Sequence, residues 1–169
     1  AAQRMVAQET DLVAATGSYL SSFTLAVTEV TERANLPVLT LSYSDLITDR
    51  GFKYVFQTSA TAGSQARQAL PQIVKLAESA SGKRPKTVAM IMDNTATSVA
   101  TAKALKEKIF AQEGLQLVVE EVWTPPLSDA TPLIQKVRSA RPDLLLFMPN
   151  AVSDAKLGLE KINEFGLGQ

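Results

Sequence analysis

The feature that most restricts the fold of this chain is a repeated alternation of short apolar segments with longer amphipathic segments. The apolar segments have the length of β-strands and begin near residues 12, 37, 54, 86, 115 and 144. Most of them are separated by segments whose apolar residues recur with helical spacing. Strands that alternate with helices are typical of α/β proteins, so we expect parallel sheets with flanking helices and right-handed crossovers.

The predicted strands differ in how deeply they should be buried. Residues 12–16 and 144–148 are continuously apolar, which is typical of strands that are covered on both faces. The other predicted strands comprise residues 37–41, 54–57, 86–92 and 115–123. The polar segment 42–51 is predicted to be a loop.

The longer segments predict helices. We expect them over residues 1–8, from Ser21 or Ser22 to about 34, over 61–80, from 98 to about 112, from Asp129 or Thr131 to just before Pro142, and from the loop ending at 153 to just before Gly166. The apolar face of the second helix is predicted to contain Phe23, Ala26, Val27, Val30 and Ala34. Pro71 lies inside the third helix, where we expect a kink or two shorter helices.

The composition excludes several kinds of chemistry. The chain has no His and no Cys, so it cannot form a Ser-His or Cys-His nucleophile pair or an imidazole or thiolate zinc site. Its 17 basic residues balance 17 acidic ones, which leaves no excess charge for binding nucleic acid. No apolar run approaches the roughly 20 residues that span a bilayer. We therefore expect neither catalysis nor a cofactor or metal in this segment, unless a missing part of a longer chain supplies those residues.

Four loops are expected at the carboxyl ends of strands, where open α/β sheets gather their ligands. They carry neutral hydrogen-bonding side chains and comprise residues 17–22, 40–45, 93–98 and 148–153. The first loop also opens a helix, whose N–H groups and positive dipole end suit a carboxylate. Phosphate is less favoured because no glycine-rich loop with a lysine follows a strand. The structural alternative is that Ser21 and Ser22 are helix caps and that Ser42 and Ser44 are turn residues.

Aromatic residues in these loops are candidates for contacts with an apolar ligand body. Tyr19, Phe23 and Tyr43 are placed to form such a wall, although Phe23 lies on the apolar face of its predicted helix and is more simply a core residue. Asp93 ends a strand, a position that holds metals or bases in many enzymes. Its loop contains no second carboxylate, which favours a cap or a loop-ordering role.

Five segments stand out by their order and spacing. The longest is GSYLSSFTLAVTEVTERANLPVLTLSYS at residues 17–44, in which a serine-rich turn opens a helix and a Pro-led strand leads into a small polar loop. The others are RGFKYVFQT at 50–58, VAMIMDN at 88–94, SDATPLIQKVRSARPDLLLF at 128–147 and LEKINEFGL at 159–167. Together they resemble the solute receptors of branched-chain amino-acid ABC importers, over essentially the whole chain.

This resemblance implies a type I periplasmic-binding-protein fold, with two Rossmann-like α/β lobes that close over a ligand. Residues 1–58 would form part of the N-terminal lobe and residues 59–169 most of the C-terminal lobe, with the hinge near 57–60. The resemblance also implies that the receptor's first strands precede Ala1 and that later strands follow Gln169.

The resemblance also assigns a ligand-binding role to the two serine-rich loops. Ser21, Ser22 and Thr24 would hold the carboxylate of the ligand. Ser42 and Ser44, from the second loop, would contribute to the same site.

In the opposite lobe the sequence departs from the amino-acid receptors of the family. Thr97 or Ser98 stands after the VAMIMDN strand, and Asn150 after the LLLFM strand, where those receptors often place aromatic residues. These smaller side chains leave space for a larger carboxylate, such as an aromatic acid.

We therefore predict the substrate-binding component of an ABC uptake transporter, located in the periplasm and recognised by an inner-membrane permease. Its ligand would be a small carboxylate, either an amino acid or an aromatic or aliphatic acid, with no cofactor, nucleic acid or membrane span. The alternative is a ligand-sensing domain of a regulator or receptor with the same fold. An enzyme of Rossmann-like architecture is a third class, which the lack of His, Cys, phosphate loops and paired carboxylates disfavours.

Overall fold

A computed structural model describes residues 1–167, so that the last two residues of the predicted second lobe, 168–169, lie outside the described part. The helices are α1 (Ala2–Gln8), α2 (Ser21–Arg33), α3 (Ala62–Ser81), α4 (Ala96–Ala104), α5 (Phe110–Gln112), α6 (Thr131–Ala140) and α7 (Val152–Glu164). The strands are β1 (Ala15–Thr16), β2 (Val38–Thr40), β3 (Val55–Gln57), β4 (Thr87–Asp93), β5 (Gln116–Trp123) and β6 (Leu144–Met148). A 3₁₀ turn, Asp45–Ile47, follows β2, and a π-helical turn, Leu105–Ile109, joins α4 to α5.

These strands form two separate three-stranded sheets in which every pair is parallel. The first sheet has the order β1-β2-β3, and the second has the order β5-β4-β6. The predicted α/β class, with parallel sheets and flanking helices, is therefore confirmed.

The second sheet is covered on both faces. Met90, on the central strand β4, packs in a cluster with residues of α3, α4 and α5. Its neighbour Ile91 points to the other face and packs with α6. α7 approaches this second face so closely that a Cβ atom on Gly158 would collide with the ring of Phe147. Because side chains alternate along a strand, burial of both sets means that the central strand β4 is enclosed, whereas Val118 and Val122 of the edge strand β5 are exposed.

The first sheet is covered on one face only in the described part of the chain. Val38 and Val55 are buried, whereas Leu39 and Phe56 are 45% and 50% exposed. Leu39 and Phe56 are register partners on adjacent strands, so they form part of one continuous apolar face. The prediction of a strand over residues 12–16 that is buried on both faces is therefore wrong.

The reason is that β1 is an edge strand of only two residues. It pairs with β2 through Ala15 and Thr16, while Leu12 and Val13 lie outside the pairing and are exposed. A continuous apolar run therefore did not indicate enclosure at this position.

The buried face of α2 also differs from the prediction. Phe23 is 63% exposed, whereas the fully buried positions include Thr24, Thr28 and Thr31. These threonines tolerate burial because their hydroxyls are hydrogen-bonded: Thr28 Oγ1 donates to the carbonyl of Thr24 (2.7 Å) and accepts from Arg50 (2.5 Å). The hydroxyl residues at 21, 24, 28 and 31 recur with helical spacing, which is the sequence signal for this face.

α3 is a single helix of 20 residues that continues through Pro71. The predicted division into two shorter helices is wrong. Proline removes one backbone hydrogen bond, but the apolar side of the helix, with Ala66, Leu70 and Val74, remains packed in the core of the second sheet. Tertiary packing therefore maintains the helix.

Candidate ligand-binding site

The candidate site begins at the carboxyl ends of β1 and β2, where the loop before α2 meets the loop 42–45. α2 starts at Ser21, and its N-cap residue Leu20 provides no side-chain cap. In the part of the chain that the structure describes, the backbone N–H groups of Ser21 and Ser22 donate no hydrogen bond. Two donors at the positive end of a helix dipole are thus available to an acceptor.

The buried hydroxyl of Ser21 joins the two loops. Its Oγ accepts hydrogen bonds from the backbone N–H groups of Tyr43 (3.2 Å) and Ser44 (3.1 Å). The same Oγ lies 2.9 Å from Oγ1 of Thr97, in the first turn of α4. Ser21 therefore fixes the second loop and also reaches the second sheet's side of the molecule.

Thr24 and Ser42 are brought together at the base of the first loop. Thr24 Oγ1 donates to the carbonyl of Ser18 (2.5 Å), and Ser42 Oγ lies 2.7 Å from the same oxygen. Ser18 has a φ of 58°, a left-handed conformation that costs free energy for a residue with a Cβ atom. The two hydroxyls thus hold a strained loop residue, and their direct contact with a carboxylate stays a prediction.

Ser44 and the aromatic residues occupy different environments. Ser44 is fully buried, and its Oγ has no hydrogen-bond partner among the described residues. Tyr43 is half-buried beside it, whereas Tyr19 is 76% exposed and Phe23 points to solvent. A buried hydroxyl without a partner is unfavourable, so Ser44 is a position where a bound atom would improve the site.

The opposite side of the site is organised by Asp93 at the end of β4. Its buried carboxylate accepts hydrogen bonds from the N–H and hydroxyl of Thr95 and from the N–H and side-chain amide of Asn150. Burial alone would raise the pKa of Asp93, but hydrogen bonds from Thr95, Asn150 and Ser98 outweigh burial and hold the pKa below its usual value. Asp93 is therefore ionised and orders the two loops, as its isolated position in the sequence suggested.

The first turns of α2 and α4 face each other. The N–H of Ala96 donates to Ser22 Oγ across 3.2 Å, beside the contact between Ser21 and Thr97. α4 also begins without a side-chain cap, and within residues 1–167 the N–H groups of Thr97 and Ser98 donate no hydrogen bond. Two positive helix ends thus converge among hydroxyl groups, an arrangement that can bind an anion without Lys or Arg.

Ser18 and Thr95 lie in the loops that the sequence predicts at the site, but the sequence analysis assigned no role to either residue. Ser18 gave no signal, because its left-handed backbone depends on contacts with residues that are distant in sequence. Thr95 was detectable, because an Asp followed two residues later by Thr is a common side-chain-to-backbone turn, and Asp93 accepts from the Thr95 N–H at 3.1 Å.

Two features are absent from the described residues. Residues 1–167 contain no group of three or more His, Cys, Asp or Glu side chains that could hold a metal ion. None of the helices in this part of the chain combines the length and apolarity needed to cross a membrane.

The family model described as "Periplasmic binding protein" matches residues 1–169, and the chain belongs to that family. The resemblance noted in the sequence is therefore confirmed.

Two curated relatives show the range of this similarity. The Leu/Ile/Val-binding protein homolog 8 of Brucella abortus (strain 2308) is 26% identical over 153 residues, which cover 89% of this chain and 38% of the relative. The protein of the same name in Brucella suis biovar 1 (strain 1330) has the same identity and coverage. The chain thus spans about two fifths of the length of these relatives.

Solved structures agree with the fold. A solute-binding protein of an ABC transporter from R. palustris, in complex with 4-hydroxybenzoate, superposes with a TM-score of 0.82 at 22% identity, covering 98% of this chain and 43% of that one. Another, from Rhodopseudomonas palustris BisB5 in complex with 3,4-dihydroxybenzoic acid, gives a TM-score of 0.76 at 22% identity and the same coverage. At these identities the likeness establishes the type I periplasmic binding fold.

Proposed function

We propose that the chain is the ligand-binding part of a substrate-binding component of an ABC uptake transporter, and that it binds a small carboxylate between its two sheets. The observation that carries the proposal is the convergence of the first turns of α2 and α4, with open N–H groups on both. The first sheet with α2 is here called the first half of the molecule, and the second sheet with α4 the second half. A carboxylate placed there would accept hydrogen bonds from both halves and would neutralise two positive helix ends.

In the first half, the N–H groups and hydroxyls of Ser21 and Ser22 would bind the carboxylate of the ligand. Ser44 lies close to them, because its N–H donates to Ser21, and its Oγ, which has no partner among residues 1–167, supplies a further donor. Thr24 and Ser42 support these groups by holding the loop before α2.

Thr97 is the proposed contact from the second half. Thr97 already contacts Ser21, and Ala96 contacts Ser22. The oxygen atoms of a bound ligand would lie between the members of each pair and accept hydrogen bonds from both sides. A ligand that contacts both halves favours the closed arrangement by its differential affinity for that state. The lobes that would close are residues 1–58 and 59–169, with a hinge near 57–60.

We infer that the ligand is an aromatic acid rather than an α-amino acid. An ammonium group needs an acceptor, but both oxygens of Asp93 already accept hydrogen bonds from Thr95 and Asn150. Tyr43 and the exposed ring of Tyr19 provide apolar contact area on the first side. The benzoates bound by the two solved neighbours support this class, whereas the Leu/Ile/Val name of the curated relatives favours an amino acid.

The same neighbours support a place of action. They are described as solute-binding proteins of ABC transporters, and the matched family is that of periplasmic binding proteins. We propose that this protein acts in the periplasm and delivers its ligand to an inner-membrane permease.

Calorimetric titration with benzoate, 4-hydroxybenzoate and leucine tests this function. We expect the benzoates to bind and the Ser21→Ala variant to bind them about tenfold more weakly, because one hydrogen bond contributes about 1.4 kcal/mol. Ser139→Ala is the matched control, since its hydroxyl lies on α6 and, within the described part of the chain, bonds only to the carbonyl of Gln135.

Three outcomes would contradict different parts of this proposal. Tighter binding of leucine than of the benzoates would overturn the aromatic-acid assignment but retain the carboxylate site. Equal losses in Ser21→Ala and Ser139→Ala would move the site away from α2. Binding of sugars or nucleotides, with no response to any carboxylate, would overturn the proposed function.

A further inference from the structure

The N-terminus of α3 is capped largely by the loop 42–45 of the first half. The first three N–H groups of this helix all find acceptors: Ala62 donates to the carbonyl of Tyr43 (2.6 Å), Gly63 to Oδ2 of Asp45 (2.9 Å), and Ser64 to Oγ1 of Thr61 (3.2 Å). A helix leaves its first N–H groups without internal partners, and here two of the three acceptors come from outside the helix and its own cap.

The contact between Asp45 and α3 is close enough to depend on glycine. A Cβ atom at Gly63 would lie 3.0 Å from Oδ1 of Asp45 and 3.4 Å from the Cβ of Ala104 in α4. Gly63 therefore lets the carboxylate approach the helix while α4 packs on the other side. The negative charge of Asp45 also lies at the positive end of the α3 dipole, which strengthens the contact.

The segment between β3 and α3 is bonded to the same loop. The side-chain amide of Gln57 donates to the carbonyl of Ser42 (2.7 Å), and the hydroxyl of Ser59 donates to that same carbonyl (3.0 Å). Loop 42–45 is thus attached at both ends of the connection between the two halves. Movement of α3 relative to the first sheet would be transmitted to this loop.

Loop 42–45 also carries two of the groups that define the proposed site. The N–H groups of Tyr43 and Ser44 donate to Ser21, and Asp45 follows directly in the chain. A change in the contact between Asp45 and Gly63 would therefore displace the Ser44 hydroxyl and the partners of Ser21.

We propose that Asp45 is a positioning residue, which holds the carboxylate-binding loop in register with the second half by capping α3 at Gly63. This inference rests on the proposed function. It assigns to Asp45 no contact with the ligand and makes affinity depend on a hydrogen bond to the other half of the molecule.

The test compares Asp45→Ala and Asp45→Asn with the control Asp49→Ala, whose carboxylate lines the same groove between the halves. We expect Asp45→Ala to weaken benzoate binding about tenfold, in line with the loss of one charge-assisted hydrogen bond. Asp45→Asn should recover most of the affinity because its amide oxygen still accepts from Gly63. Asp49→Ala should bind like the unaltered protein.

Amide hydrogen exchange without ligand separates this proposal from the proposed function. In Asp45→Ala we expect faster exchange at Gly63, Tyr43 and Ser44 and unchanged exchange in β6. If no carboxylate binds to the unaltered protein, the proposed function fails, while the exchange result still decides whether Asp45 holds the loop.

Two results would overturn the proposal. One is unchanged exchange at the loop amides in Asp45→Ala, and the other is equal affinity in Asp45→Ala and Asp49→Ala. If Asp45→Ala does not fold, Gly63→Ala provides the same measurement, since its methyl group would displace the carboxylate; native exchange at Tyr43 and Ser44 in that variant would contradict the proposal.

Discussion

The two sheets of this protein are stabilised by different interactions. The strands of the first sheet have two or three residues, and α2 packs against it through hydrogen-bonded Ser and Thr side chains. The strands of the second sheet have five to eight residues, and both of its faces carry apolar clusters. The proposed ligand anchor lies on the half with fewer apolar contacts.

This difference has a physical reason. Apolar burial stabilises strongly but is non-directional, whereas a hydrogen bond contributes less net free energy and defines a geometry. The loops that we propose to present N–H groups to a carboxylate need a defined geometry. The network of Thr24, Ser42 and Ser21 provides it, and the core around β4 provides stability.

The largest expected effect on stability comes from comparing a buried residue of the second sheet with a half-exposed residue of the first. Ile91→Ala removes a fully buried side chain from the second sheet and should lower the free energy of unfolding by about 2–5 kcal/mol. Leu39→Ala, on the half-exposed face of the first sheet, should cost about 1 kcal/mol or less. Urea unfolding at constant m-value measures both. Equal losses would show that the first sheet is packed as tightly as the second.

A smaller loss of stability is expected when the ionised Asp93, which joins the loops of Thr95 and Asn150, is neutralised. Asp93→Asn replaces one acceptor oxygen with an NH₂ group, which leaves the part-buried donors of Thr95 and Asn150 with a single acceptor oxygen, and should cost about 1–3 kcal/mol at neutral pH. The lowered pKa means that Asp93 stabilises the fold above the ordinary value of 3.8 and that this contribution is lost as the pH falls through the lower folded value.

The pH dependence is the decisive measurement for Asp93. The stability difference between the unaltered protein and Asp93→Asn should be constant at neutral pH and shrink below about pH 4. Asp129 and Asp143, whose pKa values are also lowered, remain in both proteins and do not affect the difference. A difference that stays constant into acid would contradict an ionised Asp93.

The smallest effect sharpens the description of α2. Thr24→Val keeps the shape of the side chain but removes its hydrogen bonds to Ser18 and Ser42, so it should cost about 1 kcal/mol. Phe23→Ser, one residue away, should change stability by at most about 0.5 kcal/mol because the ring is exposed. Thermal unfolding of both variants ranks them. The reverse order would restore the apolar face that the sequence predicted.

Two of the wrong predictions, those for Phe23 and for the strand 12–16, have the same origin. Hydrophobic periodicity assigned Phe23 to the core and Leu12 to an enclosed strand, because a prediction from periodicity treats apolar residues as buried. In α2, hydroxyl groups could be buried because neighbouring carbonyls and Arg50 satisfy them, and periodicity does not register such partners. The strand 12–16 was overestimated because only Ala15 and Thr16 find a pairing partner in the described structure.

The sequence by itself determined the α/β class, the approximate positions of six strands and the polar loops at their carboxyl ends. These follow from local periodicity and from the chemistry of each residue. Only the tertiary structure decided which loops meet. Ser21 and Thr97 are separated by 76 positions in the chain, and Ser22 and Ala96 by 74 positions. Such contacts depend on how helices pack onto two sheets, and no local pattern encodes the distance between residues brought together in that way.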